Sequence, residues 1–187
     1  MNLQTDHKIV FALAEEKKDE NWRFRSFLKR CGLNSEELDA IVHRHYEDVA
    51  SQIDCLECGN CCRLILPTLS DDDVKNLAAG LGISPEEVIE VYLVRNESGE
   101  LTLNQLPCPL LEGNRCRVFD HRPENCRSYP HLHKKDFVFR LINVVWNYSI
   151  CPIVFNVYER LKEELRNEFG DAWDAEPYRD DFMEEDL

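Results

Sequence analysis

Apolar residues recur at helical spacing in three stretches of the chain. Between Glu20 and Cys31, Trp22, Phe24, Phe27 and Leu28 predict a helix that Gly32 to Asn34 would end. Asn34 or Ser35 then caps a second helix, in which Leu38, Ile41, Val42, Tyr46 and Val49 form one apolar face up to about Ile53. Val157, Leu161, Leu165 and Phe169 mark a third, closed by Gly170. Two shorter helices are announced by their start signals. Ser70 followed by Asp71, Asp72 and Asp73 opens one that Gly80 and Gly82 would terminate. Ser84, Pro85 and Glu87 match a capping box with proline in the first turn, and open another through Val88, Ile89 and Tyr92. The two would form an antiparallel pair.

Turn signals predict the strands. Ser98-Gly99 lies between Leu93 and Leu103, and Gly113-Asn114 between Cys108 and Cys116, so the second hairpin would bring two cysteines together. Asp136 to Trp146 is rich in Val, Phe and Ile and reads as a strand. The expected fold is α+β, a helix-rich small domain with short β-hairpins organised around a cysteine-ligated metal centre. The expected segments are an N-terminal helical segment (1–53), a cysteine-cluster domain (54–155), a C-terminal helix (156–170) and an acidic tail (171–187).

Charge narrows the partners. Thirty-six acids against 22 bases give a formal net charge of -14, which argues against a nucleic-acid backbone or an anionic membrane surface and for a partner with a basic surface. Residues 171–187 carry eight acids and one base, and are expected to be solvated or loosely packed. The apolar run from Ile9 to Ala14 is too short for a signal or a membrane span. The expected compartment is therefore the cytoplasm, where thiols stay reduced and a dense cysteine cluster holds metal in preference to disulfides. The odd total of nine cysteines agrees with that.

Cys55, Cys58, Cys61 and Cys62 form the run Cys-x2-Cys-x2-Cys-Cys. Two-residue spacers let a tight turn aim successive sulfurs at one centre, and Gly59 gives the backbone freedom to make it. The first three also have the spacing of a bacterial ferredoxin cluster. Cys62 projects away from Cys61 and is expected to serve a different metal. Cys108, Cys116, Cys126 and Cys151 supply four more thiolates. Eight in all suit two four-coordinate sites, or one iron-sulfur cluster beside one zinc. The expected partition gives Cys55, Cys58 and Cys61 one remote cysteine, with Cys62 joining the remaining three. Cys31 reads as a plain core cysteine, His43 and His45 as solvated, and His131 and His133 as neighbours of the ligands. Arg122 and Arg127, flanking Cys126, would donate hydrogen bonds to thiolates or local carbonyls.

These residues resemble the YkgJ-type cysteine-cluster family, which has a CxxCxxCC signature and is described as zinc- or iron-chelating. The matching elements are CLECGNCC from Cys55 to Cys62, CPLLEGNRCRVF from Cys108 to Phe119, RPENCRSYP from Arg122 to Pro130, and the pair Cys151-Pro152. Leu110 and Ile153 depart from the Phe and Gly common there, and neither change removes a ligand. The resemblance implies a metal-chelating domain, roughly Asp54 to Pro152, with zinc or iron, including a 4Fe-4S cluster, as cofactor. The cysteine pattern is also similar to that of flagellin lysine N-methylases, which makes an iron-sulfur redox or protein-modifying enzyme the alternative. No radical-SAM Cys-x3-Cys-x2-Cys run, glycine-rich nucleotide loop or Ser-His-Asp set stands out, so no residue is assigned a catalytic role.

Overall fold

The computed structural model describes residues 3–175. In chain order its helices are α1 (His7–Glu16), α2 (Lys18–Leu28), α3 (Ser35–Ala50), the single turns α4 (Cys55–Cys58) and α5 (Cys61–Leu64), α6 (Asp71–Leu81), α7 (Pro85–Tyr92), α8 (Glu124–Ser128), α9 (Leu141–Tyr148) and α10 (Pro152–Phe169). Its strands are β1 (Thr68–Leu69), β2 (Leu93–Arg95), β3 (Leu101–Leu103), β4 (Leu111–Glu112) and β5 (Arg115–Cys116). The fold is α+β and rich in helix. Two compact units divide the chain: residues up to Ile53 with those from Pro130 onward, and Asp54 to Tyr129.

The first unit is helical. Its best-predicted element, α3, starts on a complete capping box: Asn34 Oδ1 accepts from Glu37 N at 3.0 Å, and Glu37 Oε2 accepts from Asn34 N at 2.9 Å. Its apolar face packs on α10, which buries every residue from Pro152 to Tyr158 and then settles into a stripe through Leu161 and Leu165. Helix α1 has no counterpart among the expected elements. Asp6 caps it by accepting from Lys8 N, and Val10 and Ala14, four residues apart, bury its inner face.

Two expectations fail in this unit. Asp136 to Trp146 is not a strand; Phe137–Arg140 forms a 3-10 turn that continues as α9. The Asp39 carboxylate accepts from Asp136 N at 2.7 Å and Phe137 N at 2.8 Å, satisfying donors that a helix start leaves open. The buried positions Phe137, Leu141, Val144 and Tyr148 follow steps of four, three and four, a helical period that outweighs the β-branched composition. The segment after Gly170 is not loosely packed throughout. Residues 172–175 form a 3-10 turn, and Trp173 is fully buried, with its ring 4.9 Å from Phe24 and 5.4 Å from Phe27. The rest of the expected acidic tail, 176–187, lies outside the described residues.

In the second unit both predicted hairpins form. The sheet order is β1-β3-β2, antiparallel throughout, with Leu93 opposite Leu103 and Leu69 opposite Leu101; β4 and β5 pair separately, with Leu111 opposite Cys116. Helices α6 and α7 pack together over Leu69, Val74, Leu77, Val88, Leu101 and Leu103. Ser70 and Asp73 make a reciprocal capping box for α6, and Ser84 accepts from Glu87 N to start α7. Gly82 ends α6 in the left-handed conformation, as expected. Gly80 does not terminate it. It lies within the helix, where a Cβ would come within 2.6 Å of His121 Cβ, so its lack of a side chain admits the turn that follows β5.

Candidate metal centre

Among the described residues none of the nine cysteines is in a disulfide. Seven of the eight expected ligands, Cys55, Cys58, Cys61, Cys62, Cys108, Cys116 and Cys126, belong to the second unit, where three separate stretches of chain carry them. Cys151 belongs to the first unit. It is buried at the N-cap of α10, with its N–H donated to Asn147 O.

The CxxCxxCC stretch is built as two single turns joined by a left-handed glycine. Asp54 caps α4 by accepting from Leu56 N at 2.8 Å, and Gly59, at φ 59°, reverses the chain before α5. Asn60, next to it, is buried. The geometry explains the glycine twice, because a Cβ at Gly59 would also lie 2.8 Å from Asn114 O and 2.9 Å from an Arg63 nitrogen.

That close approach is part of a clasp on the β4–β5 hairpin. The Arg63 guanidinium donates to Cys58 O at 3.2 Å, Gly113 O at 2.7 Å and Asn114 Oδ1 at 2.6 Å, while Asn114 Nδ2 donates to Glu57 O at 2.8 Å. Cys108 N donates to Cys62 O at 2.8 Å. Four of these hydrogen bonds register the Cys108 and Cys116 stretch against the four-cysteine loop, and the fifth, to Cys58 O, braces Arg63 within the loop.

Helix α8, which carries Cys126, is fixed by other groups. Asp73 Oδ1 accepts from Glu124 N at 2.7 Å while Oδ2 accepts from Ser70, so one carboxylate caps α6 and holds the start of α8. Asn125 Nδ2 donates to Thr68 O and Oγ1. Burial works against ionisation of Asp73, but the N–H groups of Ser70 and Glu124 and the Ser70 hydroxyl outweigh it and hold the carboxyl below its usual range.

The thiols form one electrostatic group centred on Cys62. A hydrogen bond from Cys61 lowers the Cys62 thiol to about 7 against the cost of burial, with help from Arg63 and Arg122. Burial pushes the Cys126 thiol up to about 12, and the charges of Cys62, Cys108 and Cys116 add to this. Burial likewise raises Cys108 and Cys116, and the Cys62 charge raises both further. Cys55 is raised by burial and then by Cys58. Arg122 is the shared counter-charge, easing ionisation of Cys55, Cys62, Cys116 and Cys126. Its Nε donates to Phe119 O at 2.7 Å, and its guanidinium lies 3.4 Å from the Phe119 ring centroid.

Other expected roles are redistributed. Arg127 pairs with Glu124 on the surface. His45 is not solvated; its side chain is 13% exposed, its Nε2 is 2.7 Å from Glu164 Oε2, and burial holds it below the usual histidine range. His43 Nε2 contacts Lys134 O, and His131 and His133 lie in the first unit. Cys31 is half-buried and not in the core as expected, with its thiol donating to Leu28 O at 3.6 Å at the end of α2. Sequence reasoning passed over Arg63, Asn114 and Asp73 as agents of the site. Gly113-Asn114 was legible as a turn, but its hold on the cysteine loop is a tertiary contact.

Among the described residues no three His, Cys, Asp or Glu side chains stand in a metal-holding arrangement. In kind the donors fit zinc or iron: clustered soft thiols, one of them ionising near neutrality, beside two guanidinium groups. Among the described residues no helix is long and apolar enough to cross a membrane.

The sequence profile of the CxxCxxCC family, described as "Putative zinc- or iron-chelating domain", matches residues 54–152. No curated protein and no solved structure matches the chain. The matched span contains the whole second unit and every expected ligand, and it covers more than half of the sequence, so the chain belongs to the CxxCxxCC family.

Proposed function

We propose that the second unit chelates zinc or iron through a thiolate site centred on Cys62, with Cys108, Cys116 and Cys126 as its partners and Cys55, Cys58 and Cys61 as the neighbouring set. What supports this reading is that the charge of Cys62 acts on three chain-remote thiols, Cys108, Cys116 and Cys126, in each case opposing their ionisation. The expected partition, in which Cys62 serves a different metal from Cys61, is not carried into this reading, because the Cys61 side chain is hydrogen-bonded to Cys62. Cys151, the eighth thiol of the expected set, belongs to the other unit, and the seven thiols carry the proposal by themselves.

Arg63 and Asn114 keep the two halves of the set in register, Asp73 places Cys126, and Arg122 offsets the negative charge that several thiolates create together. A bound zinc ion would close the loops between these elements, whereas iron with sulfide would add one-electron chemistry. Metal and acid-labile sulfide content of protein purified without oxygen tests the reading. Stoichiometric zinc or iron that falls sharply in Cys62→Ser and stays in Cys31→Ser supports it; metal-free protein, or equal loss in both variants, ends it. Sulfide matching iron selects the iron-sulfur form, and zinc without sulfide the structural form.

A further inference from the structure

Within the first unit, the outer face of α9 carries large apolar side chains that the core does not use. Phe137, Leu141, Val144 and Tyr148 are buried on the inner face, and Phe139, Ile142 and Trp146 follow the same period on the opposite side. Phe139 is 83% exposed and Trp146 61%, with Ile142 half-buried between them. A single exposed apolar residue is ordinary. Two aromatic rings seven residues apart on one helical face make a stripe about 10 Å long.

The charge of this face departs from that of the chain as a whole. Helix α9 bears no charged residue, and from Phe137 to Tyr158 the sequence has no acid. At the start of the stripe Lys134 and Lys135 are exposed, and among the described residues neither ammonium is in an ion pair. The Arg140 charge is met by Asp39 and Asp136, so the uncompensated charge is that of the two lysines. At the far end, Glu15 and Lys18 lie near Trp146 and bring one charge of each sign.

The loop that presents the lysines is held in place. Arg140 donates to Lys134 O and, at 2.7 Å, to Lys135 O; His43 Nε2 donates to Lys134 O at 3.2 Å, and Ser35 Oγ donates to Asp136 Oδ1 at 3.1 Å. His131 and Asp136 close its two ends in the left-handed conformation, with φ of 64° and 61°, which few residues other than glycine adopt. A surface ordered in advance loses less freedom when a partner binds.

We propose that this face docks an acidic amphipathic helix of a partner protein, whose apolar stripe packs on Phe139, Ile142 and Trp146 while its carboxylates reach Lys134 and Lys135. Apolar stripes of two helices complete each other by packing ridges into grooves. An anionic membrane offers related chemistry and fits less well. Screening over about 8 Å lets a narrow helix respond to the two local lysines, whereas a flat anionic surface also meets the acids behind the net charge of -14. The face lies wholly in the first unit and does not depend on the metal reading.

The test titrates the full chain into a fluorescein-labelled helical peptide with leucines at steps of three and four on one face and glutamates on the other, read by anisotropy. The glutamate peptide is expected to bind saturably, and the same peptide with lysines in place of the glutamates at least about tenfold more weakly. Phe139→Ser combined with Trp146→Ser is expected to weaken binding by about tenfold or more, and Lys134→Glu combined with Lys135→Glu by about fivefold. All four positions are exposed, so melting should stay close to that of the unaltered chain and loss of binding then reports on the surface itself. No saturable binding of the glutamate peptide, equal or tighter binding of the lysine peptide, or undiminished binding in the folded Phe139→Ser, Trp146→Ser variant would overturn the proposal. Binding to phosphatidylserine vesicles, or self-association in sedimentation, that this variant abolishes while the glutamate peptide does not bind would equally overturn it, and would assign the face to a membrane or to a second copy of the chain.

Discussion

Single residues decide where the cysteine-bearing elements sit. Asp73 serves two helices with one carboxylate, so Asp73→Asn is expected to cost about 1–3 kcal/mol in urea unfolding at neutral pH. The pH dependence follows from the lowered carboxyl. Its folded value lies below the ordinary 3.8, so its contribution is present above that value and is lost as the pH falls through the folded value. The gap between the unaltered chain and Asp73→Asn should therefore close in acid below about pH 4, and a gap that stayed constant would contradict this account. His45 runs in the opposite sense. Burial lowers it, so protonation costs the folded state, and stability should decline as the pH drops below 6.5 toward the lowered value. His45→Gln should flatten that decline in melting curves taken between pH 7 and about pH 5.

At the scale of elements, the two short turns of the cysteine loop depend on contacts from outside them. Gly59→Ala meets two obstacles, a left-handed backbone and atoms of Asn114 and Arg63 within 3 Å. The expected cost is about 2–4 kcal/mol, above the 1 kcal/mol or so of a left-handed alanine alone. Gly82→Ala is the control, because Gly82 has a similar φ and open space around it. Equal destabilisation of the two, measured by denaturant unfolding, would show that the Arg63 clasp contributes nothing. Much of this level was legible in the chain. Caps at Asn34, Ser70 and Ser84 are local chemistry, acting within a few residues, and they appear where the sequence puts them. Asp136 to Trp146 has the composition of a strand but the period of a helix, and the period prevails; the reason for Gly80 lies on His121, more than forty residues away.

For the whole molecule, the ledger of burial reaches past Gly170. Trp173 is fully buried against Phe24 and Phe27, so Trp173→Ala is expected to destabilise the first unit by about 3–5 kcal/mol. A truncation meant to remove the acidic tail should therefore end after residue 175 and not at Gly170, since the shorter form would expose that aromatic cluster. Unfolding of Trp173→Ala within about 0.5 kcal/mol of the unaltered chain would show that this turn is a passive attachment. The same unit holds a buried ionic group that composition did not announce. Lys162, 3% exposed, lies 2.8 Å from Glu159 Oε1 and 3.3 Å from Glu20, and burial keeps its ammonium below the usual range against the pull of those carboxylates.

By itself the sequence determined the faces of α2, α3 and α10, the caps at Asn34, Ser70 and Ser84, the two hairpin turns and the cysteine spacing, because period, capping and the Cys-x2-Cys-x2-Cys-Cys pattern are local and need no partner from elsewhere in the chain. It also sufficed to mark the family, whose signature is carried by the same spacing. Only the tertiary structure decided which groups hold those pieces in place. Arg63 reaches a hairpin fifty residues on, and Asp73 caps a helix fifty-one residues on. Each of these depends on where a distant backbone or side chain arrives, and a linear pattern carries no record of that.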